Sequence, residues 1–203
     1  MSKIKSSGFT LVEIAIVLVI IGLLLGGVLN GQTLIKNAKY NAWVGEIDSY
    51  RSAFTTFVTT YRALPGDMNN ASSRLEAPTG VAIRNGNGSG VIDGGGNSGL
   101  NVESGVALQH LILAGLIKGD PAPETGNVRK GTPVGGTYNS IATGNWANGK
   151  WGHKLLMFGV PGDLCQRLDE EFDDGDASTG VIARHEGNGE WDPATPNNIF
   201  IAL

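Results

Sequence analysis

The sequence predicts an α+β fold: a long N-terminal α-helix, half transmembrane and half packed on a globular head, then long loops and a C-terminal antiparallel β-sheet. Three observations predict it. Residues 8–29 form an almost purely apolar run, GFTLVEIAIVLVIIGLLLGGVL. Beyond it, apolar residues recur at three- and four-residue steps as far as Tyr61, which is helical periodicity. The later part of the chain breaks into short apolar runs separated by Gly, Pro, Asn and Asp, the signature of antiparallel strands.

The apolar segment comes first. Residues 9–29 number 21, which at about 1.5 Å of rise per residue matches the roughly 30 Å hydrocarbon core of a bilayer. The preceding MSKIKSSG carries Lys3 and Lys5 and no acid, so the positive-inside rule keeps it cytoplasmic. An ordinary secretory signal places its cleavage site after the apolar run. Here the small residue, Gly8, stands before it. Inside the run lies one carboxylate, Glu13. Acids at membrane depth are costly and usually mark function, so Glu13 calls for a partner. The plain alternative is a helix end whose acid snorkels to the headgroups.

These residues carry a specific resemblance. KSSGFTLVEIAIVLVIIGLLL resembles the N-terminus of type IV prepilins and of the pseudopilins of type II secretion systems, with a basic leader, Gly8, Phe9, and Glu13 four residues after Phe9. The resemblance implies a type IV pilin-like fold and cleavage by prepilin peptidase after Gly8. It further implies methylation of the new N-terminal amine of Phe9, and assembly into a filament in which Glu13 neutralises the N-terminal ammonium of a neighbouring subunit. The implied partners are copies of itself and other pilins or pseudopilins, the peptidase, the inner-membrane assembly platform and the membrane. The implied location is the bacterial inner membrane, single-pass with the head periplasmic, and then the filament. Many pilins carry a proline late in this helix; here the region reads LLLGGVLNGQ, with Gly26, Gly27, Asn30 and Gly31. Glycine and asparagine lower helix propensity, so the segment either loosens during assembly or permits close helix packing in lipid.

The expected organisation is a leader at 1–8, a transmembrane and assembly helix at 9–30, an amphipathic helix at 31–62, and a head at 63–203. The apolar stripe of the amphipathic part runs Leu34, Ile35, Ala38, Ala42, Trp43, Ile47, Tyr50, Phe54, Phe57, Val58 and Tyr61, and ALPG at 63–66 ends it because proline disfavours helix at the residue before it. Residues 66–99 read as long loop. A second helix of about 14 residues, from near Val102 to Ile117, ends at Gly119 and Pro121. GTYNSIA, KWGHKLLMFGV, GVIARH and NIFIAL read as strands. YRALPGDM, LQHLILAGLIKGD and LDEEFDDGDASTGVIAR are more loosely similar to segments of bacterial prepilin-like proteins.

Composition narrows the functions. A length of 203 residues allows one moderate core, or one core and an extended element. The net charge of −4 offers no electrostatic footprint for nucleic acid. With Cys165 the single cysteine, no intramolecular disulfide forms. His110, His153 and His185 show no zinc spacing, and Cys165 lies between Asp163 and Asp169, which do not lower a thiol pKa. No enzymatic motif is present, so the chain reads as non-enzymatic. Two segments offer oxygen ligands. NGNGSGVID, from Asn85 to Asp93, has the skeleton of a calcium loop but only one carboxylate, and Gly96 stands at its twelfth position. The acidic run DEEFDDGD supplies Asp169, Asp173, Asp174 and Asp176. Type II pseudopilins often use calcium where pilins use a disulfide, so the resemblance makes calcium a candidate cofactor there; consecutive acids otherwise form a solvated surface face or a turn. The function expected is that of a structural subunit of a type IV pilus or a secretion pseudopilus, the alternative being a minor tip, initiator or adhesin-like pilin.

Overall fold

The computed structural model describes residues 10–95, 97–145, 151–185 and 190–203. The chain divides into two compact units, Met1–Asn41 and Ala42–Leu203. Helix α1 (Leu11–Tyr61) opens the described chain. Among the described residues it is the one helix long and apolar enough to cross a membrane, with a window of mean hydropathy 2.8 that is buried nowhere.

In the first unit α1 is helical through Gly22, Gly26, Gly27 and Gly31, and a Cβ placed on any of these meets nothing within 4 Å. Among the described residues no packing requires those glycines. Leu34 and Ile35, expected in the core stripe, are 70% and 58% exposed. The reason is general: periodicity tells which residues share a helix face, and burial needs something to cover that face.

In the second unit Trp43, Ile47, Tyr50, Phe54 and Phe57 of the stripe are buried, while Ala42 is exposed and Val58 and Tyr61 are partly covered. The helix stops where Arg62 turns into the left-handed region at φ 55°, a frequent way for a helix to end, just ahead of Pro65. The segment expected to be all loop contains a four-residue helix, α2 (Ala71–Arg74). Helix α3 (Glu103–Leu113) is shorter than expected. It ends at Gly115, φ 70°, where Leu116 N–H bonds Leu111 O and Gly115 N–H bonds Ile112 O. This paired closure of the last turn needs a left-handed residue that glycine adopts freely, so Gly115, rather than Gly119, is the stop signal.

The strands are β1 (Lys130–Gly131), β2 (Thr137–Asn145), β3 (Trp151–Pro161), β4 (Ile182–Arg184) and β5 (Pro196–Ala202). They form one antiparallel sheet in the order β1-β2-β3-β5-β4. The four strand runs read from sequence are β2, β3, β4 and β5; β1, two residues long, left no pattern to read. The register places Ile141 opposite Leu155, Leu155 opposite Ile201, and Ile182 opposite Ile201. Side chains alternate across a strand, so these make one buried face, while Ala142, Leu156, Ala183 and Phe200 cluster on the other. On α1, Tyr50 lies 4.5 Å ring to ring from Tyr138, Phe54 lies 5.2 Å from His153, and Arg51 Nε–H donates to Ala202 O at 3.1 Å.

A fourth helix, α4 (Gly162–Phe172), was missed in the sequence. Its buried apolar side chains, Leu164, Cys165 and Leu168, do follow helical spacing, but the acids of DEEFDD read as a solvated surface face or a turn. Glu170 and Glu171 are on the solvent side of an amphipathic helix, whereas Asp169 is on its buried side.

Candidate functional site

Gly8 and Phe9 lie outside the described residues. Glu13 sits in the first turn of α1, and its surroundings are local. Its carboxylate Oε2 accepts the Thr10 backbone N–H at 2.8 Å and the Thr10 hydroxyl at 2.7 Å, while Glu13 N–H reaches Thr10 Oγ1 at 3.3 Å. This is a capping box: the two residues satisfy donors that a helix N-terminus leaves orphaned. The signature, a threonine three residues ahead of a glutamate at the head of an apolar run, is legible in TLVE. Glu13 therefore has a partner within its own chain, and its carboxylate remains exposed.

The acidic run is placed across the end of α4 and the turn leading to β4. One ligand atom from each of Asp169, Asp173 and Asp174 falls within 4.8 Å of the others. Asp176 stands outside that group, with its Oδ1 accepting the Ser178 N–H and hydroxyl. Asp173 Oδ2 accepts the Val181 and Ile182 N–H groups, fastening the turn to the start of β4. Gly180 makes this possible: it adopts φ 71°, and a Cβ there would strike the Asp173 carboxylate. Asp174 accepts the Asp176 N–H and the Thr179 hydroxyl, which hold its carboxyl below the ordinary value.

Asp169 is the unusual member. It is 0% exposed, its Oδ2 accepts the Trp191 indole N–H at 2.7 Å, and its Oδ1 accepts no hydrogen bond. Burial pushes this carboxyl up to about 6 against the lowering effect of the Trp191 indole, and the Asp173 and Asp174 carboxylates add to the rise. A buried, unpartnered carboxylate oxygen is costly. A proton or a cation relieves that cost. Oxygen-only donors suit a hard divalent ion, and the oxygens already bonded once keep a second lone pair. Asp169, Asp173 and Asp174 thus fit calcium in chemistry.

The loop at 85–93 has the opposite polarity to a cation site. Asp67, buried, accepts Ser89 N–H and Gly90 N–H on its two carboxylate oxygens, each at 2.8 Å. Glu103 accepts Asn87 N–H at 2.8 Å and Asp93 N–H at 3.0 Å. Asn85 Oδ1 accepts Ser72 N–H, and Asn87 Oδ1 accepts Ser89 N–H. The amides converge on carboxylates, and the asparagine oxygens counted as ligands are engaged by the backbone. Two acids far away in sequence, Asp67 and Glu103, do the organising.

Cys165 is buried, with Sγ 3.7 Å from Val160 O, and burial pushes its thiol up to about 12. His153 Nδ1 meets the Thr143 hydroxyl at 2.8 Å, and His185 stacks on Phe158. No histidine joins a cluster of metal-ligating side chains among the described residues.

Comparison with known proteins locates a match at one end of the chain. No curated protein and no solved structure matches it. Residues 3–29 match the family model described as the prokaryotic N-terminal methylation motif. That match spans the basic leader, Gly8, Phe9, the capping box and the exposed apolar helix. It supports a type IV pilin-like or pseudopilin-like precursor, a class generally non-enzymatic, whose motif implies processing by a peptidase and assembly into pili or pseudopili. The chain carries the prepilin-type cleavage and methylation motif at its N-terminus.

Proposed function

We propose that this protein is a structural subunit that polymerises, after removal of its leader, into a type IV pilus or a type II secretion pseudopilus. The carrying observation is the methylation motif on an apolar helix that no described residue covers. Prepilin peptidase cuts between Gly8 and Phe9, and the new Phe9 amine is methylated. Residues 9–30 then anchor the subunit, residues 31–62 continue the helix, and the head from 63 onward is periplasmic, the basic leader having stayed in the cytoplasm. Removal of Lys3 and Lys5 turns the formal charge of −4 into about −6 on side chains, as two cations and no acids are lost.

In the separate subunit Thr10 holds the Glu13 carboxylate. In the filament that carboxylate faces the N-terminal ammonium of a neighbour, and the pair fixes subunit register. Breaking a buried pair by removing one partner costs roughly 3–5 kcal/mol, and the cost recurs at each subunit. Glu13→Val, expressed without wild-type subunits, is expected to insert and be processed normally yet give few sheared filaments. Normal filament yield would remove Glu13 from assembly and leave it a helix cap. Intact mass decides the processing step: co-expression with prepilin peptidase is expected to yield a chain starting at methylated Phe9, whereas a bulky residue at position 8 blocks the cut.

The reading includes a calcium ion held by Asp169, Asp173 and Asp174, with Asp176 in the adjoining turn. Calcium supplies positive charge that ties the end of α4 to the turn before β4 without a disulfide.

A further inference from the structure

We propose that His110 is a proton-sensitive latch that fastens the turn after α1 and the segment around Arg84 to α3, and that acid releases it. The imidazole is 0% exposed and both ring nitrogens are committed. Gly66 N–H donates to Nδ1 at 2.9 Å, and Nε2 lies 2.7 Å from Arg84 O. A carbonyl oxygen only accepts and a backbone N–H only donates. The ring is therefore neutral, with its proton on Nε2. Adding a second proton at Nδ1 sets N–H against the Gly66 N–H and abolishes that bond.

The joint is tight around this ring. Phe57 of α1 stacks on it with ring centroids 6.0 Å apart. Gly66 adopts φ 88° and lies so close to α3 that a Cβ would strike Glu103 O and Ala107. Beside His110 on α3, Gln109 Oε1 accepts Arg84 N–H, and its amide donates to Ala82 O and Pro121 O. One histidine and one glutamine thus hold three backbone segments together.

The elements around the ring carry Tyr61 and Arg62 at the end of α1, Asp67 in the turn, Arg84, Glu103 on α3, and Lys118 and Asp120 after it. The ring nitrogens are committed to the Gly66 amide and the Arg84 backbone carbonyl, and none of these side chains hydrogen-bonds the imidazole. Two of these acids, Asp67 beside Gly66 and Glu103 on α3, are engaged elsewhere, Asp67 by the Ser89 and Gly90 amides and Glu103 by those of Asn87 and Asp93. An imidazolium here gains no carboxylate partner from these bonds. Burial lowers the His110 pKa, against a smaller opposite effect from Arg84 O. The sign follows: the open state takes up the proton more readily than the closed one. The latch is at full strength above the ordinary histidine value of about 6.5 and weakens as pH falls from there toward the lowered value.

The test uses the full chain in lipid or detergent, with hydrogen–deuterium exchange followed from pH 7.5 to 4.5 and corrected for the intrinsic chemical rate. Peptides covering 63–68 and 81–90 are expected to lose protection by up to tenfold per pH unit below about 6.5, while peptides of β3 keep theirs. His110→Gln, which offers a donor and an acceptor but does not titrate, is expected to abolish that pH dependence. Protection of 63–68 and 81–90 unchanged down to pH 4.5 in the wild-type chain overturns the proposal. So does the same loss in His110→Gln. Should that variant fail to fold, nitrogen NMR of the wild-type ring decides. Protonation of His110 together with loss of protection supports the latch, and protonation with protection retained overturns it.

Discussion

Leu24, in the first unit, is 63% exposed, and Leu155, in the second, is 0% exposed, although each sits in a run of aliphatic residues. In α1 the apolar side chains of residues 11–29 point in all directions around the helix, and no described residue covers them. In the sheet they alternate, so that Leu155 and Leu156 enter opposite buried faces. The contrast teaches that hydrophobicity alone does not say what buries a residue. A helix apolar all round needs a surrounding medium or neighbouring helices, whereas a strand with alternating neighbours can be buried by its own chain.

Substitution in the two regions sharpens this contrast most. Leu155→Ala is expected to lower the stability of the second unit by about 2–5 kcal/mol, as buried leucines do when truncated, read as the denaturant midpoint. Leu24→Ala is expected to leave that midpoint unchanged. A comparable loss from both would break the distinction between a chain-buried and an externally buried core.

Calcium comes next in expected size. If the carboxylates of Asp169, Asp173 and Asp174 bind the ion only in the native state, free calcium at a hundred times its Kd stabilises by about 2.7 kcal/mol. The full chain is expected to melt higher in calcium than in chelator, and Asp173→Asn to shrink the difference. Identical melting in both conditions makes the cluster a turn fastened by hydrogen bonds alone.

Gly180→Ala tests that turn directly. Its φ of 71° and the clash of a Cβ with Asp173 predict a loss of about 1 kcal/mol or more, seen in thermal unfolding. A neutral outcome would mean that the turn re-forms without the Asp173 bonds to Val181 and Ile182. The smallest effect is expected at Cys165, whose buried thiol is pushed up to about 12. The native protein should resist a thiol reagent at pH 8 and react only after unfolding. Fast labelling would show α4 opening under native conditions.

Much of the architecture was legible before the fold. The apolar run follows from its length and composition, the aromatic side of α1 from Trp43 to Phe57 from a period of 3.6, and the strand segments β2 to β5 from short apolar runs bounded by turn residues, all of them local properties of the chain. The N-terminal motif was equally legible, and its match at residues 3–29 rests on contiguous residues. Local chemistry also hid things in plain view, as with the threonine and glutamate of TLVE and the left-handed stop at Gly115.

Long-range partners were not legible. Nothing in the order of residues announces that Asp67 and Glu103 will gather the amides of residues 87–93, that Gly66 and Arg84 will share the ring of His110, or that Trp191 will reach Asp169. The sequence by itself determined the periodic elements and the processing motif, because period and motif are carried by neighbours along the chain. Which carboxylate is left buried with a free oxygen, and which histidine becomes a joint, was decided only when chain segments more than 20 residues apart closed on one another. Those contacts depend on how packed elements exclude water around each polar atom, and that exclusion exists only in the folded molecule.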